Sequence, residues 1–259
     1  DYFAQINPTR SPKGSACVTR FSVRTPDAPF PETPISLRLL SQSDVIRIIA
    51  NSYLEDVDPS SAAPTNPQRL ALVLSRLRNL VAEERSGLSA DDVGEMRSYF
   101  ERYFHHHPVL AALGETFWTA AADMAGRMSI QGRAVLFSLL WGETPQLTVM
   151  CVRLLQALEA LGNSEIAFCG LEALDPQSMS ILDTDTMLHG LEEESSSKIT
   201  LATPDGRQVP MTRPLVTALM AELTLTLEEQ PYAFFGNADL LDFPGAPARM
   251  RFTEPDTLY

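Results

Sequence analysis

Asp239-Leu240-Leu241-Asp242-Phe243-Pro244-Gly245 is a short apolar run that ends on an acidic residue and is stopped by Pro-Gly. An apolar strand of this kind is what the buried parallel sheet of an α/β fold supplies, because helices cover both of its faces. Nucleoside triphosphates bind at the carboxyl ends of such strands. An Asp there positions a Mg²⁺ shell, and a Gly lets a backbone N–H approach a terminal phosphate with no Cβ in the way. Asp242 and Gly245 stand in those places, and Pro244 stiffens the turn between them. Pro-Gly after an acidic strand end is equally ordinary turn chemistry, so the run alone leaves both readings open.

Working back from this run, Ile199-Thr200-Leu201 and Val209 to Met211 read as strands that pair across the turn Pro204-Asp205-Gly206. Ile181-Leu182 reads as another strand, and Thr212 as the cap of a helix over Pro214 to Leu227. At the other end of the chain, Ala16 to Val23 forms a β-branched run between Pro, Gly and Ser-rich loops, and Ile35 to Leu40 a second strand. Thr19 lies in the first of these, followed by Arg20. A Thr hydroxyl in such a loop can coordinate Mg²⁺ and close over a γ-phosphate. Thr19 also fits as a plain β-branched strand residue.

The middle of the chain has the helical period. Ser41 and Asp44 form a box-like cap before a helix with Val45, Ile48, Ile49 and Tyr53 on one face. After the breaker-rich stretch 56–67, Leu70, Val73, Leu74, Leu77, Leu80 and Val81 repeat every three to four residues. Ser89 or Asp91 caps a helix with Val93, Met96, Phe100 and Phe104, and Pro108 opens another through Leu110, Leu113, Phe117 and Trp118. A further pair spans 129–141 and 145–161 and ends at Gly162. The expected organisation is three parts: 1–41 and 176–259 as two pieces of one α/β domain, and 42–175 as an all-helical insertion that makes the whole mostly α. An insertion of this size is tolerated where a surface loop brings both of its ends together.

Composition limits the function. With 20 Lys+Arg against 33 Asp+Glu the chain carries −13, most of it beyond residue 104, which argues against a general binder of nucleic-acid phosphates. The 44% hydrophobic content excludes disorder as the main state, and no apolar run of about 18 residues spans a membrane. No lipid anchor or basic amphipathic helix supports membrane association. Three widely spaced cysteines, Cys17, Cys151 and Cys169, read as free thiols of a reducing compartment. The chain opens on Asp1 and stops at Tyr259 in mid-pattern, which predicts an internal piece of a longer protein.

Thr19-Arg20 in a loop, then Asp-Phe-Pro-Gly at a strand end, resembles the switch I threonine and the Asp-x-Pro-Gly motif of dynamin-like large GTPases. The opening Asp1-Tyr2-Phe3-Ala4-Gln5-Ile6-Asn7-Pro8, then Val18-Thr19-Arg20-Phe21, and the closing 239–246 with Arg249 are similar to the SrfC-type bacterial virulence factors. That resemblance implies a partial P-loop GTPase-like sheet. It implies GTP (or ATP) with Mg²⁺ held by Thr19 and Asp242, and nucleotide contacts from Asp242, Pro244 and Gly245. It implies a catalytic role for Thr19, and for Arg20 in contacting phosphate or stabilising charge. It further implies hydrolysis by a longer parent, with loops 11–30 and 243–252 passing the nucleotide state to the helical part. The partners it implies are a guanine nucleotide and companion proteins of the same virulence-associated system.

Two departures qualify this. No Gly-x-x-x-x-Gly-Lys-Ser/Thr occurs in the 259 residues, so the phosphate-cradling loop is expected before residue 1 and the chain alone is expected to be inactive. No Asn/Thr-Lys-x-Asp occurs either, so the guanine preference rests on the resemblance. The alternative is a catalytically degenerate scaffold whose helical block docks partner proteins. Other candidates have plainer readings. Three successive residues on a helix point about 100° apart, so His105-His106-His107 does not suit one metal, and cationic His at a helix C-terminus is the expectation. Asp183-Thr184-Asp185 puts two carboxylates on one side of a strand, and Glu192-Glu193-Glu194 reads as a solvated loop.

Overall fold

The computed structural model describes residues 18–56, 66–81, 87–174, 198–227 and 232–242. In chain order the elements are β1 (Val18–Ser22), β2 (Ile35–Leu39), α1 (Gln42–Asp56), α2 (Pro67–Arg78), α3 (Ala90–Tyr103), α4 (Pro108–Met124), α5 (Ile130–Phe137), α6 (Pro145–Ala160), β3 (Ile166–Cys169), β4 (Lys198–Ala202), β5 (Gln208–Thr212), α7 (Arg213–Leu219), β6 (Met220–Thr226) and β7 (Leu240–Asp242). Among the described residues the protein is therefore α/β. Two units divide it: residues 1–39 with 164–259, and residues 40–163.

The first unit is built on one seven-stranded sheet in the order β5-β4-β3-β2-β6-β1-β7. The sheet is mixed: β1 and β6 run parallel, and every other described pair is antiparallel. Alternation sorts the side chains by face. Ile35, Leu37, Phe21, Leu223, Ala167 and Cys169 share one face, and all six are buried. Arg20, Arg38, Glu222 and Thr224 lie on the other. The hairpin read around Pro204-Asp205-Gly206 is present, with Ile199 opposite Met211 and Leu201 opposite Val209. Gly206 sits at φ +83°, where a residue with a Cβ would be strained.

Three expectations are corrected here. The helix expected over Pro214 to Leu227 stops at Leu219, and Met220–Thr226 is the strand β6 between β2 and β1. Glu222, Thr224 and Thr226 alternate there with Leu223 and Leu225, a period of two that fits a sheet and not a helix. The strand β3 falls inside the stretch 42–175 assigned to helices, because the helical chain already returns to the sheet at Ser164. Finally, β7 is not a buried strand of a parallel sheet. It runs antiparallel to β1 at the end of the strand order, and Leu240 and Leu241 are 43% and 38% exposed. An apolar run cannot by itself tell a strand with two neighbours from one with a single neighbour. Ile181-Leu182, Asp183, Asp185 and Glu192 to Glu194 lie outside the described residues.

The second unit, 40–163, interrupts the chain between β2 and β3, which are adjacent antiparallel strands with Arg38 opposite Ile166. The Leu39 N–H donates to the Glu165 carbonyl at 2.8 Å, at the point where the chain leaves and re-joins the sheet. The unit is all-helical, and its starts follow the sequence signals. Ser41 and Asp44 cap α1 reciprocally, Ser89 and Asp92 cap α3, and Pro67, Pro108 and Pro145 open α2, α4 and α6. Its core holds Phe100, Phe117, Phe137 and Trp141, all fully buried. On α1 the buried positions are Gln42, Val45, Ile46, Ile49, Ala50 and Leu54, whereas the expected Ile48 is 51% exposed.

A buried cation ties the two ends of this unit together. Arg133 Nε donates to the Ala125 carbonyl (2.8 Å), and its Nη1 to Gln42 Oε1 (2.7 Å). Gln42 Nε2 in turn donates to Asn163 Oδ1 at 2.7 Å. Gln42 opens α1 and Asn163 follows α6, so the start and the end of the unit meet in one hydrogen-bond chain.

Candidate functional site

Thr19 and Asp242, the two residues expected to share a metal, are direct cross-strand partners. The β1–β7 register places Thr19 opposite Asp242, Arg20 opposite Leu241 and Phe21 opposite Leu240. Directly opposed residues share a face, with Cβ atoms about 4.5–5.5 Å apart. Residues from near the two ends of the sequence thus converge because β7 returns to the edge beside β1. Thr19 is 1% exposed, and its Oγ1 is buried with no hydrogen-bond partner among the described residues. Its other neighbour across the parallel β1–β6 pair is Leu223, so an unsatisfied hydroxyl stands on a largely apolar face. A buried polar atom left this way costs about 1–3 kcal/mol, which makes it a marker of a missing partner. Asp242 is half-buried.

Arg20 points to the opposite face, as strand alternation requires. Its guanidinium grips Glu222 with two bonds, Nε to Oε1 at 2.6 Å and Nη2 to Oε2 at 3.1 Å. Nη1 reaches Asp239 Oδ2 at 2.9 Å. Hydrogen bonding to Glu222, then to Asp239, raises the Arg20 pKa above its ordinary value, and the bond from Arg20 holds the Glu222 carboxyl below its own. Glu222 is 8% exposed and comes from β6, a strand the sequence did not show. Its signal was the Glu-Leu-Thr-Leu-Thr alternation. The guanidinium expected to meet phosphate is therefore committed to two carboxylates on the face away from Thr19. Pro244 and Gly245 lie outside the described residues.

His105 and His106 follow the C-terminal end of α3, but His107 is placed differently from the expectation. His107 is buried and stands at the start of α4, where its Nδ1 accepts the Val109 N–H at 3.3 Å. Burial pushes its pKa below the ordinary 6.5. Accepting at Nδ1 puts the proton of the neutral ring on Nε2. His107 is a neutral helix cap and not a cation at a helix end. Among the described residues no group of three or more His, Cys, Asp or Glu side chains could hold a metal ion. Cys151 and Cys169 are free buried thiols, each pushed up to about 12 by burial, with Glu172 adding to the shift at Cys169. The helical unit also carries a groove of about 530 Å³ beside α6, lined by Ser138, Glu143, Thr148, Val149, Val152 and Arg153.

A mixed sheet with a helical unit set between two of its strands defines the chain as an α/β protein with a large all-helical insertion. Residues 1–257 match the family described as "Putative bacterial virulence factor", and the chain belongs to that family. No curated protein and no solved structure matches it. Among the described residues no helix is long and apolar enough to cross a membrane.

Proposed function

We propose that this chain forms part of a Mg²⁺-dependent nucleotide-hydrolysing protein of the dynamin-like GTPase kind, in which Thr19 and Asp242 flank the metal of a bound GTP or ATP. The observation that carries the reading is their direct cross-strand pairing, together with the buried Thr19 hydroxyl that has no partner among the described residues. A hydroxyl and a carboxylate suit Mg²⁺, a hard cation usually held by one or two protein oxygens, with phosphate and water completing the octahedron. Asp242 would hold the metal shell directly or through water, and Thr19 would close on it once nucleotide is bound. Pro244 and Gly245 come two and three residues after Asp242 and would set the backbone N–H that senses the γ-phosphate. Movement of β1 or β7 on hydrolysis would reach the helical unit, whose companion-protein partners would read the nucleotide state.

The test uses the full-length protein: turnover of GTP and ATP with and without Mg²⁺, in wild type and in Asp242→Ala. The expected result is Mg²⁺-dependent turnover that falls at least tenfold in the variant. Equal rates would remove Asp242 from the mechanism. The scaffold reading is favoured by one observation: the Arg20 guanidinium is already occupied by Glu222 and Asp239, away from the Thr19 face. Absence of any Mg²⁺-dependent nucleotide affinity in the full-length protein would decide for it.

A further inference from the structure

We infer that Arg20 is a positioning residue: by bridging β6 to the start of β7 it sets the place of Asp242 opposite Thr19. The inference rests on the metal-site reading for its functional consequence, though not for its geometry.

The described part of β7, Leu240–Asp242, lies at the end of the strand order and pairs with β1 alone among the described strands. Its two leucines contribute little burial there because both are more than a third exposed. Arg20 supplies a second attachment. It sits on β1, between the two strands that flank β1 in the sheet. On one side it takes both oxygens of Glu222 of β6, a fork-to-carboxylate geometry that fixes the guanidinium plane. On the other it takes Asp239, the residue immediately before β7. Three strands are thereby tied by one side chain, which reaches Glu222 at the level of Val18 on one side and Asp239, just before Leu240, on the other, and the tie lies on the face away from Thr19 and Asp242. It can act on them only through the backbones of β1 and β7. Arg20 and Asp239 are adjacent in effect to the two words of sequence that named the site, but neither touches the face where the metal is proposed.

Arg20 itself is a poor target for a test, because its loss would leave Glu222 buried and unpaired and endanger the sheet. Asp239→Asn is the cleaner change, since it weakens the β7 side of the bridge and leaves the Arg20–Glu222 pair intact. Asp239→Glu is the restoring control, because a carboxylate can still reach Arg20. Two readouts are taken on the full-length protein: hydrogen exchange of the 240–242 amides, and the Mg²⁺-dependent affinity for a fluorescent GTP analogue. In Asp239→Asn the amides of β7 should exchange faster, and the affinity should fall about tenfold, as for loss of an outer-shell partner of a metal ligand. Asp239→Glu should return both toward wild type. Unchanged exchange in Asp239→Asn would overturn the bridge. Faster exchange with unchanged affinity would overturn its positioning role. A wild-type protein that binds no nucleotide would sink the metal-site reading instead, and with it the functional consequence, while the exchange result would still judge the bridge.

Discussion

Replacing Arg133 by Met should weaken the helical unit by about 2–4 kcal/mol, because it leaves the buried Ala125 carbonyl and Gln42 Oε1 without their donor. Arg133 is 1% exposed, and its partners Ala125 and Gln42 are 0% and 2% exposed. Two short bonds to a charged donor, at 2.7 and 2.8 Å, contribute about 1.5–3 kcal/mol each. A longer one at 3.3 Å to the Gly126 carbonyl adds less. Part of this sum is returned, because Met carries no charge out of water, and its flexible chain fills much of the space. The natural probe is tryptophan fluorescence during urea unfolding. The chain has two tryptophans, Trp118 and Trp141; both are buried and both belong to the helical unit, so the signal reports that unit alone. With an m-value of about 1.5–2 kcal/mol/M the midpoint should fall by on the order of 2 M. A midpoint within about 0.5 M of wild type would refute the idea that this cation closes the unit.

Two further outcomes follow from groups whose protonation the fold disturbs. His107 has a lowered pKa, so its contribution is fully present above the ordinary imidazole value of 6.5 and is lost as pH falls from there through the lower folded value. Asn also caps helices but does not titrate, so His107→Asn should flatten the dependence of tryptophan-monitored stability on pH below 6.5; an unaltered slope would show that His107 is not its source. Cys151 and Cys169, both buried and raised to about 12, should stay unlabelled by a thiol-specific disulfide reagent at pH 8 in the folded protein and react on denaturation. Mass mapping of either as an early adduct in the folded protein would contradict their placement.

Much of the helical unit was legible because its punctuation is local. Ser41 with Asp44, Ser89 with Asp92, and prolines at the first turns of α2, α4 and α6 each act within three or four residues. The β4–β5 hairpin was legible for the same reason, its register being set by the turn at 204–206. What sequence pattern did not show was non-local. β6 follows α7 with no breaker between them, so the helical reading ran on through Met220. β3 is four apolar residues after a helix, too few for a period to declare itself. Thr19 and Asp242 were marked by their motif words, but their exact opposition depends on the β1–β7 register, which no local signal fixes. The partners of Arg20 needed that register and β6 as well. Ile46 rather than Ile48 is buried because several elements surround α1, so its apolar positions exceed a single stripe.

Because β2 and β3 already lie side by side, the 40–163 unit stands where a two-residue turn would suffice. The sheet's own wiring is complete without it: a shortcut from Leu39 to Glu165 would leave every strand with the neighbours it now has. In topological terms the six helices described in residues 40–163 are one long insertion into the β2–β3 connection. A change confined to residues 40–163 would therefore leave the register of each described strand pair as it is.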